Sequence, residues 1–127
     1  MGLDQSAYAK EQPSGERVGG GDEPIFYWRK HSRLQSWMEE KFYEKNPETE
    51  RNWDTFNCEE LSLSQEDIDE LKCHLEAGLP DSGGGFFWGH QFQGESAKKY
   101  REQDLAFCAW ADQELANGNE VIYYCWW

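Results

Sequence analysis

Val121-Ile122-Tyr123-Tyr124-Cys125-Trp126-Trp127 is the stretch on which the reading of this chain turns. It is apolar and rich in β-branched and aromatic residues, so it predicts a strand. Alternate side chains of a strand face opposite sides, which sets Val121, Tyr123, Cys125 and Trp127 on one face and Ile122, Tyr124 and Trp126 on the other. Both faces are apolar. The expectation is an interior strand covered on both sides, or an edge strand whose aromatics serve a partner.

Working backwards, Gly118 predicts the cap of a helix over Lys98–Ala116, in which Leu105, Cys108, Ala109 and Leu115 form a stripe widened by Phe107, Trp110 and Ala111. A second predicted strand is Phe86-Phe87-Trp88-Gly89, delivered by the flexible Leu79–Gly85. Upstream, Ser64-Gln65-Glu66-Asp67 has the hydroxyl and trailing carboxylate of a helix start. Ile68, Leu71 and Leu75 make the inward stripe of that helix, and Gly78 is its stop. Phe56–Leu63 reads as a short strand. Tyr27, Leu34, Trp37, Met38 and Phe42 follow helical spacing and predict a first helix over Tyr27–Glu44, ended by Asn46-Pro47. The polar, Gly- and Ser-rich residues 1–23 read as a disordered arm. The expected fold is therefore α+β: a single domain over 24–127, with about three short strands in a small antiparallel or mixed sheet packed with three helices.

Composition narrows the function. The formal net charge of −13 argues against the ordinary basic kind of nucleic-acid binder. Between Glu39 and Glu76, thirteen acids stand against Lys41, Lys45, Arg51 and Lys72, so most of the surplus belongs to one contiguous third of the chain. No run reaches the length of a membrane span, and residues 1–21 lack the basic start and apolar centre of a signal peptide, so a cytoplasmic protein is expected. The four cysteines, Cys58, Cys73, Cys108 and Cys125, are widely separated and read as reduced thiols.

The motifs that would carry chemistry fall short. Gly83-Gly84-Gly85 with Gly89 suggests a phosphate loop, but His90-Gln91 stands where Lys and Ser/Thr are needed. Cys73-His74, His31 and His90 lack the short spacing of a zinc site. No catalytic residue, metal or cofactor is assigned, and an enzyme ranks third among the readings.

From Tyr27 onward the chain resembles a family of small proteins of tailed phages and prophages. The resemblance rests on Tyr27-Trp28-Arg29-Lys30 with Trp37, Asn57-Cys58, Leu63-Ser64-Gln65-Glu66-Asp67-Ile68, Gly85-Phe86-Phe87-Trp88-Gly89, and Ile122-Tyr123-Tyr124 with Trp127. The chain departs from the pattern at Trp88, where the family has a third Phe, and at Cys125-Trp126, where it has small residues. Residues 1–23 lie outside it. The resemblance implies a phage origin and an α+β domain, and no particular activity.

Two function classes follow. The first is a phage-encoded, non-enzymatic inhibitor, a DNA-mimic or anti-CRISPR-like evader of host defence. Its acidic face, Glu59, Glu60, Glu66, Asp69, Glu70 and Glu76, would engage a host protein with a basic surface and bind no nucleic acid itself. The alternative is an aromatic and basic interaction module, Tyr27, Trp28, Arg29, Lys30, Arg33, Trp53, Trp126 and Trp127, taking a peptide, a small anion or a second copy in a homodimer. Neither class involves a membrane.

Overall fold

The computed structural model describes residues 2–19, 24–52, 54–82 and 90–127. Its elements run β1 (Asp4–Lys10), β2 (Phe26–Arg29), α1 (Ser32–Lys45), β3 (Glu60–Leu63), α2 (Gln65–Ala77), a 3₁₀ turn (His90–Phe92), α3 (Gln93–Ala116) and β4 (Glu120–Trp126). The four strands form one antiparallel sheet in the order β2-β1-β4-β3. The fold is α+β, with four strands where about three were expected.

The terminal strand is interior, between β1 and β3. The reason lies in residues 4–10, which belong to the segment expected to be a disordered arm. They pair with β4 along their whole length, from Asp4 opposite Trp126 to Lys10 opposite Glu120. Leu3, Gln5, Ala7 and Ala9 point into the core and are fully buried. A strand of mostly small inward side chains carries little hydrophobic signal of its own. It forms because β4 supplies a long, apolar template and its backbone hydrogen bonds.

The expected helix over Tyr27–Glu44 divides in two. Phe26–Arg29 alternates strictly, with Phe26 and Trp28 toward the helices and Tyr27 and Arg29 away, and it pairs with Asp4–Ala7. Lys30 then turns the chain through a left-handed conformation (φ 53°), which a continuous helix would not tolerate, and α1 begins at Ser32. The expected strand over Phe56–Leu63 shortens to Glu60–Leu63 for a similar reason, because Cys58 also has a positive φ (64°). The predicted start of α2 holds in detail: the Ser64 hydroxyl accepts from the Asp67 N–H, and the Asp67 carboxylate accepts from the Ser64 N–H at 2.9 Å. Gly78 (φ 95°) ends it. Helix α3 starts five residues earlier than expected. The predicted strand at Phe86–Gly89 lies outside the described residues.

The helices pack on the sheet face that carries Ala7, Trp28, Leu61, Leu63, Val121, Tyr123 and Cys125, and these residues join Leu34, Met38, Phe56, Ile68, Leu71 and Phe107 in one core. Its centre is aromatic. Trp28 meets Phe107 edge-on at 5.4 Å between ring centroids, and Phe42 packs on Phe56 at 4.7 Å. Each such burial contributes about 1.5–3 kcal/mol.

A polar chain is threaded through this core. The buried Asp104 carboxylate accepts from Trp28 Nε1 (2.8 Å) and contacts His31 Nε2 (2.7 Å). Gln5 accepts from the His31 N–H (2.8 Å) and donates to the Tyr123 hydroxyl (2.8 Å) and the His31 carbonyl (3.1 Å). Tyr123 in turn donates to Gln35, whose amide donates to Cys125 Sγ at 3.3 Å. Apart from His31 Nδ1, which has no partner among the described residues, these buried groups are hydrogen-bonded, and such bonds fix register, since a slipped strand would break them. The polar chain thereby ties β1, β2, α1 and α3 at one position each, and β4 at two.

Candidate functional site: the helix-free face of the sheet

The opposite face of the sheet carries Asp4, Ser6, Tyr8 and Lys10 of β1, Tyr27 and Arg29 of β2, Glu60 and Ser62 of β3, and Glu120, Ile122, Tyr124 and Trp126 of β4, as the pairing register requires. No described helix packs here. Tyr8 and Ile122 are buried, yet they stand apart from the main core. Tyr27 and Trp126 remain exposed, at 45% and 39%. Tyr124 and Trp126 pack on each other at 5.8 Å, and the Arg17 guanidinium lies 3.8 Å from the centre of the Tyr8 ring. A depression of about 330 Å³ opens among Ser6, Tyr8, Arg17, Glu60, Tyr124 and Trp126.

Four of the charges of this face are arranged in two pairs. Lys10 Nζ lies 2.9 Å from Glu60, and Arg29 Nη1 lies 2.9 Å from Asp4. The Tyr8 hydroxyl donates to Glu60 and the Tyr27 hydroxyl to Asp4. Burial would raise the Glu60 carboxyl, but the bonds from Tyr8 and Lys10 outweigh it and hold Glu60 below its ordinary range. Burial and the Glu60 bond push the Tyr8 phenol well up; the Asp4 bond raises Tyr27, and a Cys58 contact raises Tyr124. All three tyrosines are therefore neutral hydroxyls at neutral pH. Counting Arg17 and Glu120, this face holds three bases and three acids among the described residues, whereas the whole chain carries −13.

The two sets of residues expected from the sequence are distributed differently from their expectation. Of the aromatic and basic set, Tyr27, Arg29 and Trp126 share this face. Trp28 is fully buried in the core, because β2 alternates and its neighbours point the other way. Lys30 occupies the β2–α1 turn, and Arg33 points to the far side, toward Asp81 and Gln93. Trp127 is half-buried against the core with its N–H donating to Asn57 at 3.0 Å, and Trp53 lies outside the described residues. Of the acidic set, Glu66, Asp69, Glu70 and Glu76 share the solvent side of α2. Glu70 is bonded to Lys41, and Asp69 accepts from Gln65 at 3.0 Å. Glu59 is exposed in the turn before β3. Glu60 belongs to the helix-free face, one residue along a strand and therefore on the other side of the molecule from α2.

Sequence reasoning passed over Tyr8, Lys10, Arg17 and Tyr124 as site residues. The signal for the first two was the alternation of Asp4, Ser6, Tyr8 and Lys10 with Gln5, Ala7 and Ala9, which the surrounding glycines and polar residues concealed. Among the described residues, no group of three or more His, Cys, Asp or Glu is placed to hold a metal ion, and no helix is long and apolar enough to cross a membrane. Comparison with protein-family models, with curated proteins and with solved structures finds no match to this chain.

Proposed function

We propose that this protein acts by binding, and that the helix-free face of its sheet is where a protein partner docks. One observation carries the reading. In a chain of net charge −13, the face that no described helix covers has balanced charges, four of the six paired with one another, set among exposed aromatics. Paired charges are partly desolvated in advance, and Tyr and Trp supply large, stiff contact area with a polar edge, which is the composition of an interface centre. A partner meets little Coulomb repulsion there, whatever its own charge.

A second reading rests on α2. On this helix Asp67 and Glu70 each face a lysine, whereas Glu66, Asp69 and Glu76 have no ion pair among the described residues. Such a helix side suits a basic surface, as a phage inhibitor of a host nucleic-acid-binding or defence protein in the host cytoplasm would need. The phage resemblance favours that setting.

The two readings separate experimentally. Wild-type protein, a Tyr27→Ser/Trp126→Ser variant and a Glu66→Lys/Asp69→Lys/Glu76→Lys variant are used to capture proteins from bacterial lysate at low and raised salt. The sheet-face reading expects a partner, a second copy included, that survives raised salt and is lost only with the first variant. Loss with raised salt and with the α2 variant alone would transfer the function to the acidic helix, because exposed charge contacts are screened.

A further inference from the structure

We propose that the cavity between the start of α1, the end of α2 and the first half of α3 binds a small phosphate-bearing molecule. It measures about 290 Å³, and Arg33, Lys98 and Arg101 line it. The chain has twelve lysines and arginines against twenty-five acids, so three bases around one space run against its composition. The apolar walls are Leu75 and Leu79, both buried.

The arginines are held in place rather than loose. Arg33 donates through Nε to Gln93 Oε1 at 3.0 Å, and the same oxygen accepts from the Ser82 N–H at 2.8 Å. Arg101 donates through Nη1 to the Leu75 carbonyl at 2.6 Å, which seats it on the C-terminal end of α2. Fixing one edge of each guanidinium leaves its other donors directed by the protein, the arrangement that favours planar, multi-bond recognition of a phosphate. Lys98 adds a compact charge and has no ion pair among the described residues.

Two carboxylates bear on the site. Asp104 lines the cavity, but one of its oxygens accepts from Trp28 and the other meets His31, so it is engaged in the core. Asp81 is different. It takes Arg33 Nη2 at 3.1 Å while its own side chain is 85% exposed. A pair so exposed is weak. Asp81 occupies Arg33 as a carboxylate that a doubly charged phosphate displaces. The demand for three cations selects a phosphomonoester over a carboxylate, and Leu75 with Leu79 selects one that carries an apolar body.

The test uses the full chain and three probes at constant ionic strength: phenyl phosphate, inorganic phosphate and benzoate, followed by calorimetry and by ³¹P NMR. Phenyl phosphate should bind more tightly than either of the others. Arg33→Gln and Lys98→Gln should each weaken it roughly ten-fold, the worth of one hydrogen bond to a charged group. Asp81→Asn should strengthen it roughly two- to five-fold, the worth of an exposed ion pair removed from competition. Lys98 and Asp81 are on the surface, so these variants keep the fold, and thermal melts confirm it. No binding of phenyl phosphate at millimolar concentration, equal binding of benzoate, or unchanged affinity in Lys98→Gln or Asp81→Asn overturns the proposal.

Discussion

Gln5 and Tyr123 are 118 positions apart and are joined side chain to side chain by a 2.8 Å hydrogen bond inside the core. The bond ties the first strand to the last at the middle of the sheet. It also makes Gln5, which on its own looks like a misplaced polar residue, the link between the His31 backbone and the Tyr123 hydroxyl.

Removing residues 1–10 should therefore abolish folding. The deletion strips β4 of one of its two neighbours and exposes the edge of a strongly apolar strand. Gln5→Leu is the milder form. It leaves the His31 N–H without its acceptor and should cost about 1–3 kcal/mol. Denaturant unfolding followed by tryptophan fluorescence measures both, and a deletion that unfolds like the full chain would show that β1 is not structural.

Asp104 should be the most sensitive polar position in the core. Asp104→Ala takes the carboxylate partner from both Trp28 Nε1 and His31 Nε2 in the core and should cost about 1–3 kcal/mol for each group left unpaired. Asp104→Asn retains one acceptor oxygen and should lose less. Thermal melts of the two variants decide, and equal losses would mean that the carboxylate only fills space.

Glu60 should contribute a small, acid-sensitive stabilisation. Its folded pKa is depressed below the ordinary 4.5, so the contribution is present above that value and is lost as pH falls through the folded one. Its side chain is 43% exposed, which limits the effect to below about 1 kcal/mol. Glu60→Gln should thus melt below wild type at neutral pH, and the gap should close as pH falls through the folded Glu60 value. Glu39, which burial raises, acts with the opposite sign, but it is common to both proteins and cancels.

Two of the four thiols should be reactive in the native protein. Cys58 and Cys73 are exposed, whereas Cys108 and Cys125 are buried, with burial pushing each up to about 12. The thiolate is the reacting form, so the buried pair is protected both by access and by ionisation. Native titration with a chromogenic disulfide should give two fast equivalents and denatured protein four. Fast labelling of Cys125 would contradict the closed packing of β4.

What could be read from the sequence follows the strength of local signals. The β4 run and the Ser64–Asp67 capping box are dense, self-contained patterns, and both hold. Trp28 was misplaced because Tyr27, Leu34, Trp37 and Met38 happen to satisfy a helical spacing that the turn at Lys30 interrupts. Residues 4–10 gave too little apolar signal to compete with the glycines and polar residues around them, and their order comes from β4. The candidate site suffered for the same reason, since a third of its strand residues stand on β1. Tyr27, Arg29 and Trp126 were legible as an aromatic and basic group. Their pairing with Asp4, and the company of Tyr8 and Tyr124, depend on register, which no local pattern encodes.

Site-specific photo-crosslinking tests the central claim most directly. A photoreactive phenylalanine analogue is placed at position 126 on the helix-free face, and separately at position 76 on the solvent side of α2, in otherwise wild-type protein in bacterial cells. The sheet-face account predicts a discrete covalent adduct from position 126 and none from position 76. An adduct from position 76 alone would contradict it and give the contact surface to the acidic helix.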